Sequence, residues 1–176
     1  MEVMVKLIRK RNKEKSNEPI EFVKILEFGI YGLFVGAAIV WLVSKFIVFT
    51  AYVEGNSMED TYKEGKTIHI WVYKDIKRGD VIALQNPVNS NESLIKRCIA
   101  VPGDSVSLKD GRVYVNGVLQ NEPYVKNGDF GSSGILSKEI TLGDDEYIVL
   151  GDNRVDSYDS RIFGVVKENL IYGVVK

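Results

Sequence analysis

Ser105-Val106-Ser107-Leu108-Lys109-Asp110-Gly111-Arg112-Val113-Tyr114-Val115-Asn116-Gly117-Val118-Leu119-Gln120 alternates apolar and polar residues, and it is broken twice, at Asp110-Gly111 and at Asn116-Gly117. Asp-Gly and Asn-Gly are favoured in two-residue hairpin turns because both central residues take positive φ there. The segment is therefore predicted to be a three-stranded antiparallel meander. Further apolar, β-branched runs lie on either side of it: Thr67 to Tyr73, Asp80 to Gln85, Leu94 to Val101 and Tyr147 to Leu150. No convincing amphipathic helix interrupts them, and Asn127 to Ser133 has the composition of a loop. The fold class expected past Thr50 is mainly β, in a single all-β domain of about 125 residues, enough to bury a core of its own.

The chain of 176 residues begins differently. Phe28 to Ser44 carries no charge, and Ile25, Leu26 and Phe46 to Phe49 extend the apolar run at both ends. About 20 apolar residues suffice to cross a bilayer as a helix, with Lys45 able to snorkel to the interface. The run is too long for a cleaved leader or a buried core helix to be preferred. Three parts follow: a basic tail at 1–24, a single transmembrane helix at 25–49 and a β-rich domain at 50–176. Met1 to Lys24 holds seven Lys or Arg against four acids, whereas Thr50 to Lys176 holds fifteen against nineteen. The positive-inside rule then puts the N-terminus in the cytoplasm and the β domain on the extracytoplasmic side of the cell membrane. A mildly acidic body argues against nucleic acid as a partner and for the lipid bilayer. Gly32 and Gly36 stand at GxxxG spacing, but glycine is common in membrane spans, and a monomer is expected.

One cysteine, Cys98, and one histidine, His69, narrow the chemistry. An intrachain disulfide is impossible, a zinc site lacks its usual ligands, and no cofactor motif is present. His69 lies in strand-like alternation and reads as a half-exposed strand residue rather than a member of a Ser-His-Asp triad.

Three segments carry residues that a plain β domain does not require: Gly55-Asn56-Ser57-Met58, Leu94 to Asp104, and Gly151-Asp152-Asn153-Arg154-Val155-Asp156-Ser157-Tyr158-Asp159-Ser160-Arg161. In the second, strand alternation puts Lys96 on one face with Leu94, Cys98 and Ala100, and Arg97 on the other with Ile95, Ile99 and Val101. A lysine buried in such surroundings can give up its proton, because desolvation disfavours the charged amine. A guanidinium cannot, and must find a carboxylate. Lys96 is thus the candidate base and Arg97 a structural ion-pair member, the bland alternative for Lys96 being an edge-strand lysine that discourages aggregation.

Taken together, the segments resemble the bacterial type I signal peptidases, the Ser-Lys membrane peptidases, in their compact Gram-positive form. The resemblance runs from the anchor to the C-terminus. It is carried by Ser57-Met58 after the span, Arg78-Gly79-Asp80-Val81, Lys96-Arg97 with Pro102-Gly103-Asp104, and Gly151-Asp152-Asn153-Arg154 ending in Ser157, Asp159, Ser160 and Arg161. It implies a membrane-bound serine endopeptidase that removes signal peptides from exported preproteins. Ser57 is the implied nucleophile and Lys96 the implied general base, with no cofactor and no metal. It further implies that the Ser157 hydroxyl bonds and orients the lysine amine. Asp152 and Asp159 pair with Arg97 and Arg161 in support, and the Ser57 N–H donates to the oxyanion. Met58 and its apolar neighbours are expected to touch lipid.

The family pattern Ser-Met-x-Pro-Thr-Leu-x-x-Gly-Asp is altered here to Ser57-Met58-Glu59-Asp60-Thr61-Tyr62-Lys63-Glu64-Gly65-Lys66. A carboxylate at Asp60 near the site is expected to raise the lysine pKa and with it the pH optimum. These changes also motivate a different reading, an inactive anchored relative serving as a binding module, against which the retention of Ser57, Lys96 and Ser157 together argues. A sortase-like transpeptidase using Cys98 and His69 lacks the sequence context around the cysteine. A self-cleaving repressor-type peptidase would carry a DNA-binding domain where the span lies.

Overall fold

The computed structural model describes residues 18–44, 48–72, 75–125 and 133–176. Most of the basic tail (1–17), Lys45 and the loop residues 127–132 singled out above lie outside the described residues. Two units are distinguished, 1–45 and 46–176.

In the first unit, helix α1 spans Glu18–Ser44, and its stretch Val23–Val43 is long and apolar enough to cross a membrane. Its 21 residues rise about 30 Å at 1.5 Å each, the thickness of a hydrocarbon core. Side chains are exposed throughout Val23–Val43, around the whole circumference, so among the described residues nothing forms a core over them.

The second unit is built on two antiparallel sheets. Its strands are β1 (Val48–Tyr52), β2 (Thr67–Trp71), β3 (Val81–Gln85), β4 (Ser93–Ala100), β5 (Ser105–Lys109), β6 (Arg112–Val115), β7 (Val118–Leu119), β8 (Ile140–Thr141), β9 (Glu146–Leu150), β10 (Val166–Lys167) and β11 (Ile171–Val175). The larger sheet runs β1-β2-β11-β3-β4-β9-β10 and the smaller β7-β6-β5-β8. Both hairpin turns of the meander form as expected: Asp110 and Gly111 have φ of 49° and 72°, Asn116 and Gly117 of 53° and 75°. A one-turn helix α2 (Ser160–Phe163) is capped by the Asp159 carboxylate, which accepts from the Arg161 N–H.

Both ends of the helix differ from expectation: it starts at Glu18, inside the stretch read as tail, and stops at Ser44. Val48 and Phe49 do not belong to the helix; they pair with Trp71 and Ile70 as the start of β1. A short apolar run of β-branched and aromatic residues has no periodicity that separates helix from strand, and here β pairing takes it.

Alternating strands fill three buried clusters. Ile99, Ala100, Ile148 and Leu150 of the large sheet meet Val106, Leu108, Val113 and Val115 of the small one, so the meander closes over one end of β4 and β9. Ile82, Leu84, Cys98, Val149 and Val174 form a second cluster. A third, with Val53, Met58, Ile68, Ile70, Val81, Ala83 and Val175, lies under the segment that follows β1. Met58 is only 1% exposed within it, which corrects the expectation that this side chain touches lipid. Its thioether fills the gap below the turn that carries its neighbour Ser57.

Candidate active site

β1 continues to Val53, whose N–H donates to Lys66 O and whose C=O accepts from Gly65 N, and then turns at Gly55 into the segment bearing Ser57. β4 carries Lys96 from the other side. Lys96 is 3% exposed, and its amine donates to Ser57 Oγ at 2.7 Å and to Ile95 O at 3.1 Å. Burial pushes the amine down from 10.5 to about 8, and the carboxylates of Asp159 and then Asp152 oppose that shift. Asp60, expected to be the charge that matters, is exposed at the surface.

The amine's folded-state pKa lies below its unfolded value, so the unfolded chain holds this proton more tightly. The cost to the fold is full below about pH 8 and vanishes as pH rises towards 10.5. At 1.36 kcal/mol per unit this comes to about 3 kcal/mol. Lys96→Met is therefore expected to stabilise the full chain in detergent by up to about 3 kcal/mol at pH 7, with the gain fading between about pH 8 and 10.5; denaturant midpoints at the two ends of that range check it.

The last segment closes over this pair through buried ions. Arg97 grips Asp152 with two bonds, Nε to Oδ1 at 2.7 Å and a second nitrogen to Oδ2 at 2.5 Å, and also donates to Gly79 O. Thr61 Oγ1 donates to the same Asp152 Oδ2. Arg161 is held by both oxygens of Asp159, which also accepts from Gly151 N–H. Arg97–Asp152 and Arg161–Asp159 are thus both ion pairs. Ser57 O accepts from Asn153 N–H, tying the nucleophile's own backbone to the final segment. Gly151 makes this approach feasible: a Cβ there would collide with the Ser157 side chain and with the Ser57 carbonyl.

Ser157 departs from the expected geometry. Its hydroxyl is buried beside Gly151 without a hydrogen-bond partner among the described residues, and the amine of Lys96 bonds Ser57 and Ile95 instead. Tyr62 and Lys66, which replace the family's Leu and Asp, take up each other: Tyr62 packs on the Val53–Met58 cluster and the Lys66 amine lies 5.5 Å from its ring centroid. Thr61, Glu122, Tyr124 and Arg154 were not singled out in the sequence. The Arg97 guanidinium lies 3.9 Å from the Tyr124 ring centroid, Tyr124 donates to Glu122, and Glu122 receives both terminal nitrogens of Arg154. Burial, with the Glu122 carboxylate beside it, raises the Tyr124 phenol and keeps it a donor. A second clamp joins Arg78 to Asp104.

His69 is exposed on β2, as expected. Cys98 is fully buried and its thiol is pushed up to about 12 by burial, so a cysteine nucleophile finds no support here.

Ser57 and Lys96 face a cleft of about 400 Å³ whose walls include Ala51, Val53, Ile68, Ile70, Ala83 and Ile95. A family model described as "Signal peptidase, peptidase S26" matches residues 26–176. The chain belongs to the signal peptidase S26 family. As a signal peptidase I homologue it is a peptidase, hence a hydrolase, in agreement with the expectation from the sequence motifs. Signal peptidase IB of Staphylococcus aureus (strain COL) is 36% identical over 170 residues, covering 86% of this chain and 87% of the relative. Signal peptidase I V of Bacillus subtilis (strain 168) is 36% identical over 148 residues, covering 74% and 86%. Among solved structures, a signal peptidase I from Enterococcus faecalis V583 has 34% identity and a TM-score of 0.51, covering 58% of this chain and 97% of that one. The mainly β fold is thereby shared with a signal peptidase I of known structure.

Proposed function

We propose that this chain is a membrane-bound endopeptidase that cleaves N-terminal signal peptides from exported preproteins with a Ser57/Lys96 dyad. The observation that carries the reading is the 2.7 Å contact between a desolvated lysine amine and a serine hydroxyl in an apolar cleft. Neutral Lys96 takes the proton of Ser57 Oγ as that oxygen attacks the scissile carbonyl. The ammonium then protonates the departing amine, and the same amine activates the water that hydrolyses the acyl ester. The N–H of Ser57 has no partner among the described residues and is available to the oxyanion. Arg97, Asp152, Asp159 and Arg161 hold the last segment in place. Ser157 is kept as a positioning residue because its buried hydroxyl has no hydrogen-bond partner among the described residues.

The substrate has two edges to bind. Val53 spends both backbone groups on Lys66 and Gly65, so alternation turns those of Tyr52 and Glu54 to the open side of β1. On β4, Cys98 N–H donates to Asp80 O, which turns the backbone of Arg97, Ile95 and Ser93 away from β3; β9 covers that side only from Arg97 onward. An extended peptide between these edges gains main-chain bonds, with small residues at −1 and −3 fitting the Ala and β-branched walls. Helix α1 serves as the anchor, the N-terminus cytoplasmic and the catalytic unit outside, working as a monomer beside substrates in the same bilayer.

Full-length chain in detergent and phospholipid is expected to cut a model preprotein after a small residue, identified by sequencing the product's N-terminus. An inert chain on several precursors between about pH 6 and 10 would overturn the reading in favour of an anchored binding module. Since the active form of the base is the neutral amine, kcat/KM is expected to rise with pH through about 8 and stay flat above. A profile already flat from pH 6 would contradict the role given to Lys96.

A further inference from the structure

The cleft carries an acidic side chain that peptide-bond hydrolysis itself does not use. Glu54 lines it three residues before Ser57, exposed, and among the described residues it has no ion-pair partner. Its orientation follows from strand alternation. Ala51 and Val53 belong to the apolar cluster under the cleft, so Tyr52 and Glu54 lie on the opposite face of the same strand, both exposed. Their backbone groups face the open edge where an added strand would pair. In a peptide lying along that edge, residues that point down into the apolar walls alternate with residues that point up. With the −1 and −3 side chains down, the −2 side chain is up, flanked by Glu54 and the Tyr52 ring.

We propose that Glu54 is a specificity-determining residue that makes this peptidase favour a basic residue, Lys or Arg, at position −2 of the cleavage site and disfavour an acidic one. The inference rests on the functional reading above. Opposite charges side by side on one sheet face attract and like charges repel, and an aromatic ring next to the carboxylate adds a surface for a cationic head. Because the pair is exposed, salt weakens it.

The test uses three signal-peptide substrates differing only at −2, as Lys, Ala or Glu, cut by the full chain in detergent and phospholipid at pH 8.5. The Lys substrate is expected to exceed the Glu substrate in kcat/KM by about fivefold at low salt. That ratio should shrink towards one at about 1 M salt, fall to about one in Glu54→Gln, and invert in Glu54→Lys. Each rate is read relative to the same protein's rate on the Ala substrate, and matching thermal unfolding of the three proteins shows that the variants fold. Equal kcat/KM for Lys and Glu in the wild type, or a preference that survives Glu54→Lys, overturns the assignment while leaving the peptidase reading intact. Failure of the wild type to cut even the Ala substrate overturns both.

Discussion

Ser57→Ala and Lys96→Ala are each expected to lower kcat/KM for preprotein cleavage by about ten-thousandfold or more, with the double variant no worse than either single one. The size follows from the two groups acting as a unit: a hydroxyl without its base and a base without its hydroxyl are equally idle. The sign of the effect on the fold differs between them. Ser57 is half-buried and makes one bond to Lys96, so Ser57→Ala changes stability little. Removing the lysine relieves a desolvated charge. A Lys96 variant that is inactive yet more stable separates a catalytic base from a structural lysine, which would lose activity and stability together. Rates measured at pH 8.5 in phospholipid, beside thermal unfolding of the same samples, provide both readouts.

The second large effect is expected at Asp152. Its carboxylate is fully buried and receives Arg97 through two bonds and Thr61 through a third. Asp152→Ala leaves the guanidinium without its counter-charge, and breaking a buried pair from one side costs about 3–5 kcal/mol. The lower end is expected, since Arg97 keeps the Gly79 carbonyl and the face of Tyr124. Loss of the carboxylate also removes one of the two charges that hold the Lys96 proton, so the rising limb of the pH–rate profile should move below 8 in whatever folded enzyme remains. Replacing Arg97 and Asp152 together with apolar residues should recover part of the stability, because no lone charge is left. Denaturant midpoints of the two single variants and the double one measure this. A double variant as unstable as Asp152→Ala would show that the loss is packing rather than charge.

Legibility in the sequence tracked how local the controlling physics is. The meander was readable because Asp110-Gly111 and Asn116-Gly117 fix their turns through their own φ preferences. β3, β4 and β9 were readable as β-branched runs. β1 was partly merged into the span because Phe46 to Phe49 is apolar in either state. β8 and β10 are two residues long and exist only through their partners. At the site, burial of Lys96 followed from the apolar strand around it. The contribution of Glu122 and Tyr124 did not, since they reach Arg154 and Arg97 across some 30 residues of chain with nothing local to mark them. Met58 was misassigned to lipid for a related reason. An apolar side chain beside a membrane anchor reads the same whether it faces bilayer or core, and only the packing of Val53, Ile68 and Ile70 around it decides.

The most direct test of the dyad is the mass of the enzyme caught during turnover. A signal-peptide ester mixed with the full chain and quenched in acid is expected to leave an acyl group on the proteolytic fragment containing Ser57, absent in Ser57→Ala and slow to appear in Lys96→Ala. An acyl group on any other residue, Cys98 included, or undiminished turnover in Ser57→Ala, would contradict the account.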